Sequence, residues 1–370
     1  MTSLRFAIIG CGRISPNHIA AAIQNKLEIV AICDLEEAKM EHTISTFHLL
    51  NGVKKYKDYR EMLAIEKPDL VAICTESGKH GQIALDCIDV GSHLIIEKPI
   101  ALSLEEADQI IEKAKAKNVK VSACHQNRFN KSVQKLREAV EASRFGRLLH
   151  GTAHIRWNRG KDYYIQAPWR GTWQQDGGAL MNQCIHNIDL LRWMMGDDII
   201  EVVGMTDNLK HPFIEAEDLG IALVRFANGS FGVIEGTTNI YPQNFEETLY
   251  VFGDQGTVKI GGKSVNIIEE WLFADQLDDS EEVKAKYHEN PPTVYGFGHT
   301  PLYADVIEAI EQDREPYVTA EDGRRALELV LAIYKSAAEK KSVQLPLQKA
   351  STLDFINLFH RVSESGQGHD

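Results

Sequence analysis

The sequence predicts an α/β protein with two domains: a doubly wound parallel sheet, followed by an α+β domain with an open, mainly antiparallel sheet. Two observations predict this class. Over the first third of the 370 residues, short apolar runs alternate with helical segments, as is typical where helices cover both faces of a parallel sheet. Beyond about Gln126, the apolar residues recur with a period near two, which indicates antiparallel strands with one exposed face.

Continuous apolar runs in the first third predict parallel strands, namely RFAIIG, EIVAICD, DLVAICT, HLIIEKP and VKVSACH. A helical segment separates each run from the next. Right-handed crossovers between parallel strands produce a doubly wound sheet, and its ligand site lies at the carboxyl ends of the strands. We assign this first domain to residues 1–126.

The second domain is assigned to residues 127–345. Its strands are predicted in the segments RLLHGTAHIRWNR, IIEVVGMTD, LGIALVRFANGSFGVIEGTT and ETLYVFGDQGTVKIGG. Two short sequences within them, ANGS and GDQG, are hairpin turn signals. Helical periodicity predicts helices over residues 131–142, 177–195, 302–312 and 320–340. The remaining residues, 346–370, are assigned to a polar C-terminal tail.

Composition excludes several classes of partner. The formal charge of −13 is unsuited to nucleic acid or an anionic membrane as the main partner. No apolar run reaches the roughly 18 residues of a membrane span, and the N-terminus enters a strand at once, so no signal peptide is expected. The six cysteines show no metal-like spacing and are interpreted as core thiols in a reducing cytoplasm. We therefore expect a cytoplasmic protein without a metal site.

The segment GCGRIS follows the first strand and opens a helix. Gly10 allows a tight turn, and Gly12 lets the backbone approach a pyrophosphate at the helix N-terminus, with Arg13 and Ile14 in the same turn. Asp34 ends the second strand, where a carboxylate accepts hydrogen bonds from ribose hydroxyls and repels a 2′-phosphate. The pattern predicts NAD. The alternative is a strand, turn and helix without a ligand, in which Asp34 caps a helix.

Lys98 stands at the end of the apolar run LIIE and is followed by Pro99, whose ring fixes the backbone. A lysine at a strand end is usually only solvated. At this edge of the sheet, however, its ammonium would lie where a nicotinamide is expected. The remaining residues of the expected cofactor site lie at or after the ends of the later strands: Thr75, His80, Glu97, Lys98 and Gln126.

A second group of polar residues lies in DGGALMNQCIHNIDLLRW. On a helix, Asn182 and His186 are i, i+4 neighbours, and Asp189 lies one turn further on. Polar residues stacked beside an apolar face indicate a helix that lines a cleft. From the pattern alone, an ordinary helix-face histidine paired with Asp189 remains open. A metal site at these two residues is less well supported, because no third ligand has the right spacing.

Three motifs together make the sequence recognisable: GxGR near the N-terminus, EKP at the end of a parallel strand, and GGALxNxxxHNIDLLRW. Over about residues 4–340 they resemble the Gfo/Idh/MocA family of NAD(P)-dependent sugar oxidoreductases. The resemblance implies a Rossmann domain, an α/β domain whose open sheet commonly forms the oligomer contact, and a catalytic pair at Lys98 and His186. The family often carries an aspartate four residues before that histidine. This chain has Asn182 there, which we expect to orient the substrate by hydrogen bonding.

The implied reaction transfers a hydride from a sugar carbon to the nicotinamide while a base removes the hydroxyl proton. Histidine has an unperturbed pKa near neutrality, so His186 is the expected base. A lysine cation at Lys98 would stabilise the developing alkoxide. The family assigns the proton transfer to either residue.

Residues 154–178 carry the substrate prediction. Between Gly151 and Trp173, four basic residues and one acid give a local charge of +3 against −13 for the chain, with five aromatic residues interleaved. Arginines suit phosphate or carboxylate, and aromatic faces suit a base or a sugar ring. The substrate-binding candidates are Asn182, Arg156, Arg159, Tyr163, Trp169 and Arg170. Aromatic packing at a sheet edge or subunit interface, with surface arginines, is the alternative.

This segment, with GALMNQCIHNIDLLRWMMG, resembles the WlbA-type bacterial UDP-N-acetylglucosaminuronate dehydrogenases. The resemblance implies oxidation of the sugar C3 hydroxyl of a UDP-linked N-acetylated uronic acid during surface polysaccharide biosynthesis, in a homo-oligomer. Arg128 of HQNRFN is either a substrate contact or a structural ion-pair partner.

Two other functions remain open. One is a dehydrogenase of inositol or a free sugar, which would leave the arginines unexplained. The other is a non-catalytic NAD-binding regulator, which would be expected to lack Lys98 or His186.

Overall fold

A computed structural model describes residues 3–49 and 52–359. Its first domain contains a parallel sheet of six strands in the order β3-β2-β1-β4-β5-β6. These strands are β1 Arg5–Ile9, β2 Glu28–Cys33, β3 Lys54–Tyr56, β4 Leu70–Ile73, β5 His93–Ile96 and β6 Val121–Ala123. This is the doubly wound order expected of a dinucleotide-binding sheet. Strand β3 is not among the predicted strands, because this short edge strand has the sequence KKY and lacks the apolar run by which the other strands are recognised.

Helices cover both faces of this sheet, as its continuously apolar strands predict. They are α1 Ser15–Gln24, α2 Glu37–Thr46, α3 Tyr59–Glu66, α4 His80–Asp89 and α5 Leu104–Lys117. Helix α5 shows the local reasons for its bounds: the Ser103 hydroxyl accepts a hydrogen bond from the Glu106 amide, and Asn118 ends the helix in the left-handed conformation. The carboxyl ends of the strands therefore open on one edge, where the cofactor is expected.

The second domain is built on a mixed sheet with the order β13-β12-β11-β7-β10-β9-β8-β14. Among the strand pairs described for this second sheet, only β7 and β10 are parallel. The strands are β7 Leu148–Arg156, β8 Ile199–Asp207, β9 Leu219–Phe226, β10 Phe231–Thr237, β11 Glu246–Gly253, β12 Gly256–Gly261, β13 Ile267–Phe273 and β14 Val343–Gln344. The predicted fold class is confirmed.

The helices of this domain are α6 Lys131–Glu141, α7 Lys161–Ile165, α8 Ile185–Met195, α9 Ser280–Lys286, α10 His299–Gln312 and α11 Ala320–Glu339. The helix predicted over 177–195 is divided: a π-helical turn, Leu180–Cys184, precedes α8. Before this turn, Gly177 has a φ of +80°, and the Leu180 amide donates to the Glu217 carboxylate at 2.7 Å. Tertiary contacts thus set the start of the helix.

Two helices assigned to the second domain pack on the first. Leu302, Tyr303 and Val306 of α10 join Phe6 and Ile19 in one buried cluster. Helix α11 contacts both α5 of the first domain and α8 of the second. Helices α10 and α11 therefore connect the two domains.

The part of the assigned polar tail that the structure describes, residues 346–359, packs against the second domain. Leu347 and Phe355 are buried, and the Phe355 ring lies 5.8 Å from that of Trp173. A few apolar side chains in a polar stretch suffice to dock it. The rest of the predicted tail lies outside the described residues. No helix in the described ranges combines the length and apolarity needed to cross a membrane.

Candidate active site

The glycine turn after β1 has the geometry that the motif predicts. Gly10 has a φ of +97° and a side chain there would meet the Cys74 carbonyl oxygen at 2.5 Å, so only glycine fits. A Cβ on Gly12 would meet no atom within 4 Å, so the turn faces open space. Within the described residues, the amides of Gly12, Arg13 and Ile14 find no protein acceptor. These amides at the start of α1 fit a bound pyrophosphate.

Asp34 is held beside this turn by two backbone amides. Its Oδ2 accepts from the Cys11 amide at 2.8 Å, and its Oδ1 accepts from the Glu36 amide at 2.8 Å. Each carboxylate oxygen keeps a second lone pair that can accept from a ribose hydroxyl. Asp34 therefore accepts hydrogen bonds from the backbone of two turns and still has lone pairs for the ribose hydroxyls of a dinucleotide.

His80 and Thr75 form part of the floor of this edge. His80 is buried, with Nε2 at 3.1 Å from the Thr75 carbonyl oxygen and Nδ1 at 2.7 Å from that of Pro99. The imidazole thus ties the loop after β4 to the loop after β5. We interpret His80 as a brace for the cofactor edge, since both its ring nitrogens face protein carbonyls.

Glu97 directly follows β5 and lies in a buried group of four side chains. His18 Nε2 lies 2.9 Å from Glu97 Oε1, and His299 Nε2 lies 3.9 Å from the same oxygen. Cys124 completes the group, whose ligand-type atoms lie within 4.8 Å of one another. These are metal-ligand types. His18 forms hydrogen bonds with Glu97 and, at 2.8 Å, with Tyr303, whereas the buried His299 Nε2 has no hydrogen-bond partner within the described residues. The group fixes the strand end that carries Lys98.

Gln126 is buried directly after β6, and its carbonyl lies against Gly298 at the start of α10, where a Cβ would not fit. Its side chain donates to Asn127 Oδ1 at 3.4 Å. Gln126 is thus at the predicted carboxyl edge, but packed between the strand end and α10.

Lys98 projects from the first domain onto the π-helical turn. Its Nζ donates to the Asn182 carbonyl oxygen at 2.5 Å. Burial lowers the pKa of the Lys98 ammonium, and the nearby charges of Glu97 and Asp176 act in the opposite direction. The structure therefore brings together two residues that the sequence placed in separate motifs, 84 positions apart.

His186 lies on α8 close enough to Lys98 for the lysine charge to depress its pKa. Burial is the larger cause, and together they hold the pKa of His186 well below its usual value. Its Nδ1 is buried without a hydrogen-bond partner among the described residues. The ring of His125 lies edge-on at 5.7 Å. A neutral imidazole with a free nitrogen can accept a proton.

Asp189 is not the hydrogen-bond partner of His186. Its carboxylate instead accepts two bonds of 2.7 Å from Arg128 and one of 3.0 Å from Arg192. Asp322 of α11 joins the same buried group. Arg128 is therefore a structural ion-pair partner that ties the loop after β6 to α8 and α11.

On the substrate side, three arginines surround one tyrosine. The guanidinium carbons of Arg13, Arg159 and Arg170 lie 5.9, 5.3 and 4.1 Å from the centroid of the Tyr163 ring. None of the three forms a salt bridge with a carboxylate in the described ranges. Three cations without a carboxylate at salt-bridge distance, grouped around a partly buried ring, fit an anionic ligand. We call this the arginine cluster.

Polar contacts join the arginine cluster to Lys98. Arg159 Nε donates to Gln183 Oε1 at 2.9 Å, and Gln183 Nε2 donates to the Tyr163 hydroxyl at 3.0 Å and to Asn182 Oδ1. Asn182 thus contacts both Lys98 and Gln183. Trp169 is half-buried beside Arg170, whose guanidinium carbon lies 5.4 Å from its ring. Arg13, predicted as a cofactor residue, lies where the two sites meet.

The contacts of Arg156 contradict its predicted role in substrate binding. Its guanidinium pairs with Glu235 at 2.9 Å and with Glu246 at 2.7 Å, so its charge is neutralised. Alternate residues of a strand point to opposite faces, and its neighbour Ile155 is buried under the helices. Arg156 therefore faces the outer side of the sheet, away from Lys98.

Sequence reasoning missed Asp176, Gln183 and Tyr295. Asp176 accepts from the Gly171 amide at 2.7 Å and from the Asn182 side chain, and burial raises its pKa to about 6. Burial raises the pKa of the Tyr295 hydroxyl, and the nearby charges of the arginine cluster act in the opposite direction. Asp176 could have been found from the sequence, because it is the acidic residue of the DGG motif. The sequence around Tyr295 contains no comparable motif.

Comparison with known proteins places this site in a family. The model of the oxidoreductase family NAD-binding Rossmann fold matches residues 4–125, and that of the oxidoreductase family C-terminal alpha/beta domain matches residues 137–345. The chain belongs to the Gfo/Idh/MocA family. The predicted family and its NAD cofactor are confirmed, and the chain is an NAD-dependent enzyme of a family of sugar dehydrogenases.

Two solved members of the Gfo/Idh/MocA family have the same architecture. The WlbA dehydrogenase of Bordetella pertussis, solved with NADH and UDP-GlcNAcA, is 36% identical with a TM-score of 0.86, over 94% of this chain and 99% of that one. The enzyme of Chromobacterium violaceum, with the same ligands, is 32% identical with a TM-score of 0.86, over 94% and 98%. A myo-inositol 2-dehydrogenase of Thermotoga maritima is 27% identical over 92% of this chain and 98% of its own.

Proposed function

We propose that this protein oxidises the C3 hydroxyl of a UDP-linked N-acetylated uronic acid, with NAD as the oxidant. The arginine cluster is the observation that carries this proposal. Its three cations lack carboxylate partners in the described ranges and connect through Gln183 and Asn182 to Lys98. A nucleotide-linked uronate offers a pyrophosphate and a carboxylate to such a cluster, and the two WlbA structures contain that class of ligand.

In the proposed reaction, different residues of the cleft transfer the proton and stabilise the developing charge. NAD⁺ bound at the glycine turn supplies the hydride acceptor. His186, kept neutral by burial and by the Lys98 charge, takes the proton from the C3 hydroxyl. The Lys98 ammonium donates a hydrogen bond to the same oxygen and stabilises its developing negative charge. The Asn182 carbonyl holds the ammonium in place.

Absorbance at the NADH band tests the proposal. Protein and NAD are mixed with UDP-N-acetylglucosaminuronate, and parallel samples contain UDP-N-acetylglucosamine, myo-inositol or glucose. Because such oxidations are uphill, a ketone trap or a single-turnover amplitude is measured. Reduction of NAD by the uronate alone supports the proposal. Reduction by the neutral sugars alone refutes it, and no reduction by any of them favours a regulator.

An inositol dehydrogenase is the second candidate, favoured by the myo-inositol 2-dehydrogenase relative. It needs the same fold, Lys98 and His186, but a neutral polyol has no group for three unpaired arginines. The uronate therefore accounts for more of the site.

We further propose a cytoplasmic homo-oligomer that works in surface polysaccharide biosynthesis. The outer face of the second sheet exposes apolar side chains of β8, β9 and β10: Val203, Met205, Ile221, Leu223 and Phe231. Exposed apolar faces of this kind favour association. Light scattering after size-exclusion chromatography tests self-association, and Met205→Glu with Leu223→Glu should produce monomers. A monomeric wild type would refute this part of the proposal.

A further inference from the structure

Asp176 lies in the cleft between Lys98 and the arginine cluster, and no step described above uses it. It is 3% exposed. Its Oδ2 accepts from the Gly171 amide at 2.7 Å, and its Oδ1 accepts from Asn182 Nδ2. Backbone bonds from Asp176 and Gly177 to the Thr172 carbonyl, 3.1 and 2.9 Å long, fix the turn that carries it. The carboxylate thus has one well-defined position.

Asn182 connects this carboxylate to the reacting cation. Its side-chain Nδ2 donates a hydrogen bond to Asp176, and its backbone carbonyl oxygen accepts one from Lys98 Nζ at 2.5 Å. A shift of Asn182 would therefore move both groups together. Its Oδ1 is also occupied, by Gln183 Nε2, so the orientation of the amide is fixed from both sides.

Two carboxylates raise the pKa of the buried Lys98 ammonium, Glu97 more strongly than Asp176. The Glu97 carboxylate is also engaged elsewhere: Oε1 lies 2.9 Å from His18, and Oε2 accepts from the Lys98 backbone amide at 3.3 Å. Asp176 is the carboxylate whose charge reaches Lys98 from the second domain. The titratable groups that influence Lys98 or are influenced by it are Glu97, Asp176, Cys124, Cys184, His80 and His186.

We propose that Asp176 is a positioning residue, which holds, through Asn182, the backbone carbonyl that binds the Lys98 ammonium and adds a second negative charge to that of Glu97 beside it. The importance of this role for turnover rests on the function proposed above. Together with Glu97, the Asp176 carboxylate favours the charged, hydrogen-bond-donating form of Lys98 inside a buried cleft. Removing its charge while keeping its shape should make Lys98 lose its proton at lower pH.

The test measures the protonation of Lys98 directly. The full-length protein is acetylated with trace acetic anhydride across alkaline pH, and mass spectrometry gives the midpoint of Lys98 labelling. Asp176→Asn should lower this midpoint by about one pH unit, as expected for the loss of a neighbouring opposite charge. The double variant Asp176→Asn with Asn182→Asp moves the carboxylate within the same hydrogen-bonded pair and should restore the midpoint. Asp198→Asn, at an exposed position, should leave it unchanged.

An unchanged midpoint in a folded Asp176→Asn protein would overturn the proposal. If that single variant does not fold, the double variant decides: a wild-type midpoint supports the counter-charge role, and a lowered one refutes it. The labelling needs no sugar, so it is independent of the uronate assay. With any substrate that the wild type oxidises, Asp176→Asn should also lose kcat at lower alkaline pH than the wild type, and the double variant should regain it.

Discussion

Arg159 offers the sharpest test of the proposed substrate. Its Nε and Nη1 are held by Gln183, Asn244 and the Asn158 carbonyl, at 2.9, 2.9 and 2.7 Å. Its Nη2 donates to no described residue, so two N–H groups remain for a ligand. Burial lowers the pKa of its guanidinium, although an arginine stays charged at any working pH.

Arg159→Lys keeps the charge but removes the planar fork. The side chain can no longer hold its three protein acceptors and donate to an anion from a fixed position. Losing one charge-assisted hydrogen bond costs about 1.5–3 kcal/mol. At about 1.4 kcal/mol for each factor of ten, KM for the uronate should rise by about 10- to 100-fold. We expect kcat to change less, since this contact is made equally in the ground state and the transition state.

Arg156→Lys is the matched control, because Arg156 precedes Arg159 by three residues and is paired with Glu235 and Glu246 on the outer face. Initial rates of NADH formation are measured over a range of substrate concentrations for both variants. The control should have wild-type kinetics. Equal KM values for Arg159→Lys and the wild type, or an equal rise in the control, would refute the arginine cluster as the anion site.

Four further predictions concern single residues. Lys98→Ala should lower kcat by at least about 100-fold, while NAD binding, followed by fluorescence quenching, is largely retained; retained turnover would remove Lys98 from the mechanism. Because the pKa of His186 is depressed, kcat/KM should not fall with an acid limb near pH 6.5, the ordinary histidine value, and such a limb would contradict a neutral buried base. Asp34→Ala should lower the preference for NAD over NADP in kcat/KM; an unchanged ratio would remove Asp34 from cofactor selection. A side chain on Gly178 would overlap the Glu217 carboxylate, so Gly178→Ala should reduce the free energy of unfolding in urea by about 1–3 kcal/mol, unlike Gly160→Ala, whose Cβ meets open space.

The sequence by itself determined the two-domain α/β class, the glycine turn and the strand-end position of Lys98. These features rest on short-range information. Periodicity over a few residues distinguishes parallel strands from antiparallel ones, and a glycine with positive φ is dictated by its own turn. The strand-end position of Lys98 follows from the apolar run before it.

Only the tertiary structure decided which charged side chains share a site. Arg156 and Arg159 look equivalent in sequence, yet one is neutralised on the outer face of the sheet and the other is unpaired in the cleft. The helical spacing would allow Asp189 to pair with His186, but its carboxylate accepts hydrogen bonds from Arg128 instead. The partner of a charge comes from a segment far away in the chain, so its identity depends on how the helices and sheets pack.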